Sequence, residues 1–333
     1  MSKGLEGQRL IVQELRVRPQ YWRLKMNGNV VPVVIVTRLG IGVSNPEFYD
    51  YRLSLLSHSL ARSISALTET KETYWYIAVD VRAPANIEKR IAKAIAPAKA
   101  VVWRRNPFFT GLHPVDKDEL ANKFGDQSII VMRIDDDDLL HRDFVSEVRK
   151  HTSRGAALSA VTFGQGIDLT LSNMAAVDTW YPWIGAALSI QSSASELITP
   201  YDMKHTRTAE WIQRRGGDAK EVRSAPMWVR MWHQASDSTE ARGFRNAGGT
   251  ELRVDWAEYG LTSNNLAALQ QAAQTVTTSP KRAHSFSRLE MKLAVVKQIR
   301  ALRAQSKANG VSEKASRELR KDAKRLLEVL YCI

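Results

Sequence analysis

Between residues 30 and 150, short apolar runs rich in β-branched and aromatic residues alternate with segments that place an apolar residue every third or fourth position. This is the pattern of βαβ units around a mostly parallel sheet. Four strands are predicted, at residues 30–37, 74–79, 100–103 and 128–134. The first is a nearly continuous branched apolar run, as expected of a strand covered on both faces. A helix is predicted over residues 47–67, where Phe48, Tyr51, Leu55, Leu56, Leu60 and Ile64 form one stripe. Asn45-Pro46 ahead of it supplies a cap and a residue tolerated in a first helical turn.

From residue 156 to 236 the pattern changes. Short β-like runs at 158–163, 184–190 and 227–232 are separated by loops rich in Ser, Thr, Gly and Asp, which predicts antiparallel strands extending the parallel sheet. From residue 261 strand character is lost. Leu289, Leu293, Val296 and Ile299 form one helical stripe and Leu319, Ala323, Leu326 and Leu330 another, with Asn309-Gly310 and Ser312 between them as stop and cap. The expected organisation is an extension (1–29), a main α/β domain in two halves (30–150 and 151–236), a connecting segment (237–260) and a basic C-terminal helical appendage (261–333).

The chain of 333 residues is 44% hydrophobic, enough for a large core. Its single cysteine, Cys332, excludes a disulfide framework or a Cys-based zinc site and fits a cytoplasmic setting. The longest apolar run, 30–36, is interrupted by Pro32, so no membrane span is expected. The net charge of +13 is concentrated: residues 281–328 hold 14 Lys/Arg against five Asp/Glu. Such a surface suits anionic lipid headgroups or nucleic acid, or is a solvated helical face.

Asp135, Asp136, Asp137 and Asp138 follow the fourth strand directly. Four adjacent carboxylates repel one another unless a cation or many donors offset them. In an extended segment residues i and i+2 share a side, so Asp135 and Asp137 are expected to face one way. A D-x-D pair at the carboxyl end of a strand suits Mg²⁺ or Mn²⁺, which take oxygen ligands from one or two carboxylates plus phosphates. The bland alternative is a solvated turn, or a cap for a helix starting near His141, with Asp138 as the cap.

The segment Arg133-Ile134-Asp135-Asp136-Asp137-Asp138 resembles the R-L-D-x-D-D signature of GT-A glycosyltransferases. Its surroundings are similar to the "Putative rhamnosyl transferase" family in particular. Supporting pieces are Val36-Thr37-Arg38, Tyr51-Arg52-Leu53, the run from Trp75 to Asp80, and the run from Met227 to His233. The resemblance covers about residues 30–235. It implies a GT-A-like (Rossmann-like) mostly parallel sheet flanked by helices, and a metal-dependent transferase using a nucleotide-sugar donor with Mn²⁺ or Mg²⁺.

The same resemblance implies roles for particular residues. Asp137 would be the direct metal ligand, Asp135 would meet metal or ribose, Asp138 would be an alternate ligand, and His233 would complete the shell. Thr37, Arg38, Asp80, Arg133 and Asp135 would contact the nucleotide, with Arg104 and Arg105 as weaker candidates. An inverting reaction needs a base for the acceptor hydroxyl; the candidates, in order, are Asp202, His205 and Asp168, with Glu210 in the same half. Trp180, Tyr181 and Trp183 could form a sugar-stacking wall or belong to the core. The acceptor is expected to be a glycan or glycolipid, with the enzyme peripheral at the inner membrane face through residues 281–328. The alternatives are a glycosyltransferase acting on modified DNA bases and a non-catalytic binding protein.

Overall fold

The computed structural model describes residues 30–275 except 42, 44, 81–82, 85, 99–100, 107–110, 153–156, 235 and 237–251, together with scattered positions between 296 and 320. The expected extension 1–29, the stripe from Leu319 to Leu330 and most of the basic stretch 281–328 lie outside the described residues. The described residues from Val31 onward belong to one compact unit.

The first half builds as its pattern predicts. Strands β1 (Val33–Leu39), β2 (Thr73–Asp80), β3 (Val101–Asn106) and β4 (Ser128–Arg133) pair in parallel in the order β4-β1-β2-β3. Helices α1 (Pro46–His58), α2 (Leu60–Ser65), α3 (Ile87–Ala94) and α4 (Pro114–Phe124) lie between them in sequence. The single helix expected over 47–67 is two. Ser59 leaves helical geometry at ψ −98°, and its backbone N–H and Oγ both donate to the Leu55 carbonyl (2.9 and 2.7 Å), a side-chain competition that bends helices.

The sheet continues through β9 (Ser189–Ser193), β6 (Ser159–Phe163) and β10 (Asp218–Val222), giving the order β10-β6-β9-β4-β1-β2-β3. Only β9 is antiparallel to its neighbours. This is the mostly parallel, helix-flanked GT-A-like sheet that the resemblance implies. The strand expected at 184–190 starts at Ser189, because Trp183 and Ala187 hold positive φ angles of 51° and 61°, which a strand does not allow.

A second sheet was not expected. β5 (Leu139–Leu140), β11 (Trp228–Trp232), β7 (Gln165–Thr170) and β8 (Ala175–Trp180) form it in that order, so the run 227–232 belongs here rather than to the main sheet. Helix α5 (Phe144–His151) starts at Phe144, not His141. Helix α6 (Thr208–Gln213) precedes β10.

The segment beyond residue 251 joins this layer. A 3-10 turn (Trp256–Tyr259), helix α7 (Ser263–Thr275) and Leu261 between them contribute Tyr259, Leu261, Leu269 and Ala273 to a cluster with Tyr51, Leu55, Ile167 and Val229. The expected boundary at residue 261 therefore does not separate α7 from the core. Residues 134–138 alone connect β4 of the main sheet to β5 of the second, which places the four carboxylates at the junction of the two sheets.

Candidate functional site

The acidic run is a turn, not the extended segment its position after a strand suggested. The Asp138 N–H donates to the Asp135 carbonyl (3.2 Å), so alternation of sides does not apply. Asp135 stays partly exposed and pairs with Arg133 (3.0 Å), while Asp136, Asp137 and Asp138 are buried. Asp138 does not cap α5, whose first turn follows Asp143.

Two of the three buried acids, Asp136 and Asp137, are offset by a guanidinium that helix α1 delivers. Arg52 lies four residues after Phe48 and three before Leu55, on the apolar stripe, and is itself buried. Its Nε donates to Asp136 Oδ2 (2.9 Å) and its Nη2 to Asp136 Oδ1, while Nη1 donates to Asp137 Oδ2 (2.5 Å). His233, just past β11, brings Nε2 to the same Asp137 oxygen at 2.8 Å. Burial works against the Asp137 charge, but Arg52 and then His233 hold its carboxyl well below the usual range. Burial pushes Asp136 up to about 6 despite Arg52. It also raises Asp138 well above the usual carboxylate range, with the Asp137 and Asp135 charges adding to the effect.

All four carboxylates line one cavity of about 190 Å³, together with Arg38, Arg52 and Arg230. The donor chemistry suits a hard divalent ion. Neighbouring ligands of an octahedral ion at 2.0–2.1 Å sit about 3 Å apart, close to the spacing of Asp137 Oδ2 and His233 Nε2. Among the described residues, the group whose donor atoms already lie within 4.8 Å of one another is His141, Asp143 and Glu258, not the acidic run. There His141 Nδ1 accepts from the Asp143 N–H (3.1 Å), and Arg142 supplies the counter-charge to Glu258 (3.0 Å). It is a clamp between the α5 entry and the 3-10 turn.

The remaining candidates are dispersed. Arg38 lines the cavity and stacks on Tyr201 (4.4 Å), whose other guanidinium neighbour is Arg133 (5.0 Å). Thr37 is buried, its Oγ1 accepting from Trp75 Nε1 (3.0 Å). Asp80 is buried at the end of β2. Arg104 pairs with Asp116 on α4 (2.8 Å), and the Arg105 side chain lies outside the described residues. Asp168 accepts from Arg230 Nε and Nη2 (2.9 Å each) and from Tyr181 (3.2 Å). Asp202 accepts from the Thr199 N–H (2.7 Å) and faces Lys117 (3.6 Å). Glu210 of α6 pairs with Arg214, just past the end of that helix.

His205 is different. A methyl group placed on Gly185 would lie 3.4 Å from both Arg133 and His205 Nδ1, so the imidazole stands beside the Arg133–Asp135 pair. Burial, then Arg133, lowers its pKa below 6.5. Of the aromatics, Tyr181 stacks on Arg230 (4.4 Å), Trp183 packs beside Ile190 and Ile212, and Trp180 is exposed. Arg52 and Arg230 were missed as functional groups. For Arg52 the signal was available, since an arginine on a buried helical stripe requires an acidic partner.

The profile of the family described as "Putative rhamnosyl transferase" matches residues 43–245. No curated protein sequence matches the chain. Among solved structures, S. aureus TarS 1-349 in complex with UDP is similar at 12% identity, covering 90% of each chain with a TM-score of 0.35. A "putative nucleotide-diphospho-sugar transferase" from Desulfovibrio desulfuricans G20 is similar at 12% identity, covering 73% of this chain and 99% of that one, with a TM-score of 0.35.

Proposed function

Since the chain belongs to the "Putative rhamnosyl transferase" family and is a glycosyltransferase, we propose that it moves rhamnose or another hexose from a nucleotide-sugar to a glycan or glycolipid. The observation that carries this reading is the convergence of Asp135, Asp136, Asp137 and Asp138 on one cavity with Arg38, Arg52 and Arg230. Carboxylates supply oxygen ligands, and guanidiniums supply phosphate donors.

Asp137 and His233 would hold a divalent ion, Mn²⁺ or Mg²⁺, with Asp135 and Asp138 as further ligands. When bound, that ion is a Lewis acid for the departing diphosphate. Arg38 and Arg133, both against the Tyr201 ring, orient phosphate and ribose, with Asp135 and Asp80 toward the nucleoside and Thr37 supporting the sheet edge. In an inverting displacement the acceptor oxygen bonds to the anomeric carbon, the bond from that carbon to the diphosphate oxygen breaks, and the acceptor proton passes to a base. His205 takes that role in our reading, because Asp168 and Asp202 already carry the partners described above. Its lowered pKa keeps the ring neutral and able to accept a proton near pH 7.

A thermal-shift panel of nucleoside diphosphates and nucleotide-sugars, with and without Mn²⁺, tests the reading, because a ligand bound only by the native state raises Tm. One nucleotide should give a Mn²⁺-dependent rise. Asp137→Ala should abolish it while the fold survives, since Arg52 keeps its two bonds to Asp136. Turnover should fall by more than the roughly 10–100-fold typical of losing an outer-shell partner. A full shift in Asp137→Ala would refute the ligand assignment.

A further inference from the structure

Arg52 is the cation on which the acidic turn is assembled. Both oxygens of Asp136 are taken by its Nε and Nη2 in a bidentate clasp, the strongest geometry a guanidinium offers a carboxylate. The third nitrogen, Nη1, reaches Asp137, and both contacts to Asp137, from Arg52 and from His233, fall on Oδ2. Nη1 also lies 3.5 Å from His233 Nε2, so one guanidinium touches the whole Asp136, Asp137 and His233 group. Arg52 is fixed from behind by α1, with the Phe48 ring 5.7 Å from its guanidinium carbon.

We propose that Arg52 is a built-in counter-ion: it lets the acidic turn fold without a divalent ion and keeps Asp136 out of the metal shell. This rests on the metal reading above and divides the run by role. Asp136 is structural, and Asp137 is the carboxylate shared between protein and ion. Lysine cannot replace Arg52, because a point charge cannot hold two carboxylates in fixed directions. The physical need is plain: leaving a buried charge without its partner is strongly destabilising.

The test is thermal unfolding of the full chain with and without Mn²⁺ alone, for wild type, Arg52→Gln, Asp136→Asn and the double variant. Arg52→Gln should melt roughly 10 °C lower without Mn²⁺, and its Mn²⁺-induced rise should be about double that of wild type as the ion takes over the missing charge. Asp136→Asn should keep the wild-type rise. The double variant, with charge and partner removed together, should recover most of the lost Tm and return the rise to wild-type size. It also decides the matter if Arg52→Gln alone does not fold. An unchanged rise in Arg52→Gln, or loss of the rise in Asp136→Asn, would overturn the assignment of roles. If wild type shows no rise at all, the metal reading fails, while recovery of Tm in the double variant still decides the counter-ion role and lack of recovery refutes it.

Discussion

His205 sits half-buried beside Arg133, and that surrounding sets a pH dependence. Burial and the nearby guanidinium both disfavour the imidazolium, so the folded pKa lies below 6.5. For a depressed histidine the stabilising contribution is complete above pH 6.5 and is lost as pH falls through the folded value. The acid limb of kcat/KM should therefore have its midpoint below 6.5 and should vanish, with a large drop in rate, in His205→Gln. A pH–rate profile of both proteins checks this; an unchanged acid limb in the variant would move the base elsewhere.

Helix α1 carries Arg52 to the site, so its start is a test of how far local structure supports it. Asn45 Oδ1 accepts from the Glu47 N–H (2.9 Å) and Pro46 opens the first turn. Asn45→Ala should cost about 1 kcal/mol in denaturant unfolding, with little effect on metal affinity, because Arg52 is held at its own end by Asp136. The stripe of this helix, its cap and the four parallel strands were all legible in the sequence. The break at Ser59 was not, since a serine donating back to Leu55 leaves the apolar spacing intact. Nor were β7, β8 and β10. Their runs Gln165–Thr170, Ala175–Trp180 and Asp218–Val222 carry Asp, Gly and Thr among few branched residues, and pairing with neighbours decides them.

The second sheet and α7 make one layer, which gives a prediction for the molecule as a whole. Leu269 is fully buried in the cluster that also holds Tyr51 and Leu55 of α1. Leu269→Ala should lower stability by about 2–5 kcal/mol and shift the whole unfolding transition, whereas an appended helix would melt separately. Calorimetry with a single shifted peak is the expected result. Among the described residues no helix is long and apolar enough to cross a membrane. The basic stretch 281–328, which lies mostly outside them, keeps its expected role at anionic lipid as a proposal tested by vesicle binding across a salt series.

The sequence by itself determined the parallel half of the sheet, the buried stripe of α1 and the place of the acidic run after β4. Each depends on spacing within a short stretch, and hydrophobic periodicity records such spacing directly. Only the tertiary structure decided which acid meets which cation. Arg52 and Asp136 are 84 positions apart, and Arg52 and His233 are 181 apart. Their encounter depends on how β4, β11 and α1 converge where the two sheets meet, and local periodicity carries no information about that convergence.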